Sequence, residues 1–491
     1  MDYLDPKKNF QHKILLLVGY ILISIAIGLS TVILLFEAYG YGVHNGQVIQ
    51  NGLIVLDSQP NPANIYVNNV SKGTTNTNLT LESGIYNFKL TLNGFRTWSR
   101  KIEIDGGTIA YYDYPLLIPN KLHSSLIKGY PNIPLIFSES LNKQYLLVLD
   151  SGSNNVFDLY NLTNTKISST QISLPANIVS QNTSGVESWN VIGWANDNTH
   201  VLLSHTFDGT KVEYILLDVA NPSSSINLSQ QFASYPFSSI NFINLNYQNY
   251  YLYNQAAQTL DKVSLSNPGT ETNVLNNVLA YDGYLNNTIL YATPTEAPTG
   301  LVYINELQGN NIYHIRTFPA NSTYLLDMAS YSGTIYVAVG SSSLNKVYIY
   351  QDPVSQLQNL PNHNPVPIQV LFVKDPNYLN FSQNTQFIVA EGYNQFGVYD
   401  FENLHGYNYI TKLPLDPPQT HAVWMDGDRM TYVSGGNLIM FEYDHNYRQI
   451  LVPELAQFAP VFDGNYHNLY TISLNQKTKT YDLNQTSLIN P

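Results

Sequence analysis

His421 stands five residues before Asp426 and seven before Asp428. One imidazole and two carboxylates can hold a divalent cation or perform acid–base chemistry. Asp426-Gly427-Asp428 also has the composition of a hairpin turn. Arg429 interrupts the alternating oxygen donors that an EF-hand calcium loop requires, so the turn is the expected reading. The 11 histidines are otherwise scattered. The chain has no Ser nucleophile elbow, His-Glu-x-x-His pair, P-loop or Gly-x-Gly-x-x-Gly after a strand. It has no cysteine, which removes disulfides, Cys-ligated zinc, iron–sulfur clusters, thiol catalysis and lipidated-Cys anchors. No catalytic residue, metal ligand or cofactor site is expected.

The elements that would position any site follow from composition. The chain has 491 residues, of which only 12% are charged, about half the usual ~25%. Asn, Ser, Thr and 39 Tyr fill that gap. Such residues suit strands and turns better than surface helices. The 22 basic and 35 acidic residues give a net charge of −13 with no basic cluster, which argues against a nucleic-acid partner.

Residues 14–36 carry no charge. As a helix they extend roughly 35 Å at 1.5 Å per residue, enough to cross a bilayer. Ile14, Leu15, Leu16 and Leu17 open the run, and Ile33, Leu34, Leu35 and Phe36 close it. Lys7, Lys8 and Lys13 precede it, and the next basic residue is Lys72. That asymmetry predicts a cytoplasmic tail over 1–13, a single uncleaved transmembrane helix over 14–36 and an extracytoplasmic body. Glu37-Ala38-Tyr39-Gly40 is a poor signal-peptidase site.

A polar spacer is expected over 37–51, then short alternating runs over 52–119: Leu53–Leu56, Asn64–Asn68, Asn78–Leu81, Tyr86–Leu92 and Lys101–Ile104. Strands this short, with turns between them, predict a small β-sandwich. The stretch carries Ser58-Gln59-Pro60-Asn61-Pro62-Ala63, then Ile65-Tyr66-Val67, Gly73-Thr74-Thr75, Gly84-Ile85-Tyr86 and Gly94-Phe95-Arg96-Thr97-Trp98. In this order it resembles the PEGA domain. The departures are Pro62, Asn69 and Asn76, where that family has Gly, Gly and Pro. Pro62 cannot take a positive φ, so its turn must be rebuilt; Asn69 can. The resemblance implies a non-catalytic surface module between an anchor and a larger outer domain, in a bacterial-type protein. Tyr86 and Trp98 are expected in the sandwich core.

Over 120–491 one unit recurs eight times: a polar turn, a strand rich in Tyr, Leu and Val, then a strand with aromatic and acidic residues. The turn-plus-strand pieces begin at Asn142, Asp197, Tyr247, Asn286, Ser332, Asn384, Asp426 and Gly464. The following strands include Val156–Tyr160, Glu213–Asp218, Leu301–Ile304, Lys346–Tyr350 and Leu438–Tyr443. Spacings of roughly 38–55 residues are those of four-stranded blades. The expected fold is mainly β: an N-terminal transmembrane helix, a PEGA-like sandwich and a β-propeller of eight blades, with seven as the alternative. The last unit lacks room for a fourth strand, so a segment within Tyr111–Ile127 is expected to supply it.

The expected function is membrane-anchored binding or scaffolding in the cell envelope, with the bilayer, envelope proteins or polysaccharide as partners. The alternatives are a propeller hydrolase or lyase with an axial site, and the outer part of an envelope sensor.

Overall fold

The computed structural model describes residues 6–38, 40–44, 47–152, 155–164, 166–269, 272–360 and 363–490. They fall into two compact units, 1–121 and 122–490.

In the first unit, helix α1 runs Pro6–Ala38. Proline suits a first helical turn, where its missing N–H is an orphan anyway. The residues expected as a separate tail over 1–13 are therefore in part the first turns of this helix, and 1–5 lie outside the described residues. Ordinary polar residues propagate a helix past the end of its apolar stretch. Phe10–Ala38 is long and apolar enough to cross a membrane, and its most apolar stretch is unburied. Ile14, Leu15, Leu16, Leu17, Ile33, Leu34, Leu35 and Phe36 are all exposed. A helix apolar on all faces is not one that packs a single stripe on a core. Within it, the Thr31 hydroxyl donates to the Ile27 carbonyl at 2.8 Å, which satisfies a polar group without water.

The spacer expected over 37–51 is replaced by structure. Strand β1 (Tyr41–His44) pairs antiparallel with β2 (Gln47–Leu56), Tyr41 opposite Gln50. Val43, Val48 and Ile49 are strand formers, and Asn45-Gly46 between them is a favoured two-residue hairpin sequence; those two residues lie outside the described ones. β2 also pairs antiparallel with β5 (Thr77–Glu82) and parallel with β8 (Ile109–Tyr112). The second sheet has the order β4-β3-β6-β7, from β3 (Asn64–Val67), β4 (Val70–Thr74), β6 (Gly84–Thr91) and β7 (Trp98–Ile104). Ile54, Leu56, Ile65, Phe88, Leu90, Trp98, Ile102 and Ile104 are buried, which makes Trp98 a core residue. Tyr86 is half-buried, with its hydroxyl on the Glu82 carbonyl at 2.9 Å. The turn at Pro60 and Pro62 is built with cis bonds at Gln59–Pro60 and Asn61–Pro62, while Asn69 and Asn76 both take φ of 65°.

The second unit contains eight four-stranded antiparallel sheets among the described residues. Seven are consecutive meanders at 136–173, 188–227, 239–275, 280–319, 324–372, 378–410 and 423–453. The eighth joins Val461–Phe462, Asn468–Leu474 and Tyr481–Ser487 to β9 (Ser124–Tyr130), with Thr486 opposite Ser124 and Tyr481 opposite Tyr130. The completing strand starts at Ser124, inside the expected segment, and runs past Ile127 to Tyr130, while Tyr111 and Tyr112 belong to β8 of the first unit.

All eight second and third strands fall on the repeats read from the sequence. Their burial is near-continuous, as in Phe387–Gly392 and Arg429–Ser434. Apolar clusters lie between successive sheets and cover both faces of those strands. One cluster holds Leu203 and Trp194 of sheet two with Leu147 and Phe157 of sheet one. Another holds Tyr130, Tyr470 and Ile472 of sheet eight with Leu146 and Tyr160 of sheet one. This is a propeller-like arrangement.

Candidate functional site

The first strands of sheets one, four and five each carry an acid, Glu139, Asp282 and Asp327. Asp327, on Tyr324–Tyr331 of sheet five, accepts from Phe381 N of sheet six at 3.1 Å and from Met328 N at 2.9 Å. Asp282, on Ala280–Tyr284 of sheet four, lies close enough to Met328 N of sheet five for that N–H to favour its charge. Glu139 of sheet one accepts from Phe462 N of sheet eight at 3.0 Å and pairs with the buried Lys143. Glu391, on the second strand of sheet six, is fully buried and accepts from Ala422 N at 2.8 Å. Its other oxygen has no partner.

These acids are harder to ionise than usual. Burial, then the neighbouring Asp282, pushes Asp327 up to about 8 against the backbone N–H groups that favour its charge. Burial pushes Asp282 up to about 7 and Glu391 up to about 8. Tyr378 opposes Glu391 across the ladder. Burial raises its phenol, and Glu391 and Asp327 add to that. The His421 ring stacks on Tyr378 at 3.8 Å, and burial holds that imidazole below its ordinary value. Asp282, Asp327, Tyr378, Glu391 and His421 are thus among the perturbed titratable groups of sheets four to seven. Perturbed groups of this kind mark candidate sites, although structural networks perturb pKa values as well.

His421 and Asp426 do not form the pair considered from their spacing. Asp426 Oδ1 accepts from Asp428 N and Arg429 N at 2.8 Å, and Oδ2 accepts from Arg429 Nε at 2.8 Å. Asp426 and Arg429 are both buried, so this aspartate is a turn cap and an ion-pair partner. His421 instead precedes the strand Val423–Trp424. Among the described residues no three His, Asp or Glu side chains gather as a metal site. The expected topology-setting residues Lys7, Lys8 and Lys13 all lie in α1, Lys13 with an exposed side chain.

A second arrangement was not read from the sequence. His205 is fully buried, with Nδ1 at 2.7 Å from Glu213 Oε1 and Nε2 at 2.8 Å from Glu187 Oε1. A neutral imidazole has one N–H, so only the imidazolium donates to both carboxylates. Trp189 stacks on the ring at 4.1 Å. Burial pushes Glu213 up, but His205, both donors of Ser180 and Asn227 outweigh it and hold the carboxyl below its usual range. The signal was the Asp208-Gly209 turn, which sets His205 opposite Glu213 on adjacent strands. Trp189 comes from the neighbouring strand Ser188–Trp194 and Glu187 from the residue before it, and that strand's register is tertiary.

The cavities lie away from these groups. A shallow one of about 440 Å³ is lined by Pro236, Phe237, Ser238, Asn254, Gln255 and Ala256. A smaller one of about 210 Å³ is lined by His314, Ile315, Arg316, Thr317, Asn364 and Pro365.

Residues 51–116 match the PEGA domain family. No curated protein matches the chain. Solved structures similar to it include Kluyveromyces lactis Hsv2p, at 10% identity and a TM-score of 0.37 over 73% of this chain and all of that one. The dihydro-heme d1 dehydrogenase NirN in complex with DHE is similar at 11% and 0.40, over 66% of this chain and 67% of that one. A prolyl endopeptidase is similar at 8% and 0.41, over 74% of this chain and 54% of that one.

Proposed function

We propose that this protein is a binding or scaffolding component of the cell envelope. In this reading α1 anchors it with the N-terminus in the cytoplasm, and the two β units are extracytoplasmic. The propeller-like unit offers polar and tyrosine-bearing loops to envelope proteins or polysaccharide. One observation carries the reading. Of the acids that an axial active site would need free, Glu391 is buried, Asp282, Asp327 and Glu139 are half-buried, and Asp327, Glu139 and Glu391 are committed to backbone N–H groups of adjacent sheets or loops. Loop tips such as Tyr393, 69% exposed, remain free to offer aromatic contact with a polar tip. Recognition of that kind is weakly salt-dependent.

Because the chain lacks cysteine, a single Tyr393→Cys variant gives a labelling site without background. Modification by a membrane-impermeant maleimide on intact cells is the expected outcome. Modification only after lysis would refute the orientation. Glycan-array and partner binding by the full chain in detergent should then change by less than about tenfold between low and high salt.

The enzyme reading is favoured by one feature, the raised carboxyls of Asp327 and Glu391 beside Tyr378 and His421. It would require Asp327→Asn to abolish a measured turnover.

A further inference from the structure

The 210 Å³ cavity lies on the last strand of sheet four, Asn311–Pro319, and faces Asn364 and Pro365 of the loop after the short helix Pro353–Asn359. Arg316 lies in its wall. The guanidinium carbon is 3.2 Å from the centroid of the Tyr348 ring, and Nη1 donates to the Tyr350 hydroxyl at 2.9 Å. Its Nε is sealed from solvent, so a ligand in the cavity would meet the Nη groups. Among the described residues no carboxylate pairs with it, whereas the buried Arg429 has Asp426. A guanidinium fixed by an aromatic face and a phenol is a preorganised fork, and leaving its remaining donors unmatched is costly.

We propose that this cavity binds a small monocarboxylate, with the carboxylate on the guanidinium of Arg316. This site is additional to the loop surface proposed above and does not depend on it. Two features favour a carboxylate over phosphate or sulfate. First, among the described residues of the wall Arg316 is the only Lys or Arg, and burial lowers the tendency of His314 to take a proton. A single positive charge matches a monoanion. Second, a planar carboxylate fits the fork in bidentate fashion. His314 is already engaged, Nδ1 with Asn305 Oδ1 at 3.1 Å and Nε2 with Thr317 Oγ1 at 3.0 Å, so it shapes the wall. At ~30 Å³ of liquid volume per water, the cavity has the room of about seven waters, which suits a single acidic sugar or a short organic acid.

The test uses the full chain in non-ionic detergent, at constant ionic strength set with chloride. Phenylglyoxal modification of Arg316 is followed by mass spectrometry with acetate, D-glucuronate, inorganic phosphate or glucose present. The two carboxylates should protect Arg316 saturably, phosphate less, and glucose not at all. In calorimetric titration, Arg316→Gln should lose at least about tenfold in glucuronate affinity, the size of one lost charged hydrogen bond. Arg316→Lys keeps the charge without the fork and should also bind less tightly than wild type. The proposal is overturned by modification that no carboxylate slows, by glucose protecting as well as glucuronate, by tighter binding of phosphate, or by undiminished affinity in either variant. If Arg316→Gln does not fold, protection of the wild-type chain decides the matter.

Discussion

Glu391 has one partnered oxygen and one without a partner, and the side chain is fully buried. Its carboxyl rises from 4.5 to about 8 on folding, chiefly through burial. The folded state therefore holds a proton there that the unfolded chain has released once the pH passes 4.5. Stability should fall as the pH rises through that window and level off above about 8. The full shift of three and a half units, at ~1.36 kcal/mol each, sets a ceiling of about 5 kcal/mol. Unfolding entropy of ~2.1 cal/mol/K per residue, over a unit spanning 122–490, converts each kcal/mol to roughly 1.3 °C. Glu391→Gln removes the titration and retains an acceptor for Ala422 N. Wild-type and variant melting temperatures should be similar at pH 5, and the variant should pull ahead by up to about 6 °C at pH 8.5. Calorimetry of the full chain in detergent across pH 5–9 measures the difference. Asp282 and Asp327 titrate in both proteins, so subtraction isolates Glu391. Parallel pH profiles would refute the assignment of this carboxyl as neutral in the fold.

Three further outcomes are expected. Trp98→Ala should cost about 3–5 kcal/mol in the first unit, since the ring is fully buried, and limited proteolysis should then cleave within 51–116. Asp426→Ala removes the closest carboxylate of the buried Arg429 and should cost up to about 3–5 kcal/mol, lowering the melting temperature of the second unit by several degrees, while the double change Asp426→Ala with Arg429→Met should recover part of it. A fragment beginning at Pro131 lacks β9 and should melt well below one beginning at Leu122, because Leu483 and Tyr470 lose Tyr130 and its strand as cover; equal melting temperatures would mean that β9 adds nothing to the eighth sheet.

What the sequence determined by itself was local. An uncharged run of 23 residues reads as a helix because length and apolarity are one-dimensional properties. The repeats were legible because each second strand is a short apolar run after a polar turn, and positive φ at Lys143, Asn198, Asn287, Thr385 and Tyr466 recurs in those turns. The PEGA motifs were legible for the same reason, being turn residues at fixed offsets. The missed strands β1, β4 and β8 have little apolar alternation of their own, and β4 is exposed throughout. They are strands because a partner's backbone is there to bond. Tertiary structure alone decided which charged groups meet. Spacing put His421 near Asp426, but their fold partners are Tyr378 and Arg429. His205 meets Glu187 across 18 residues, and β9 meets the last strand across more than 350. Such encounters depend on strand register and on the stacking of sheets, and a one-residue slip in register would turn every one of these side chains to the opposite face.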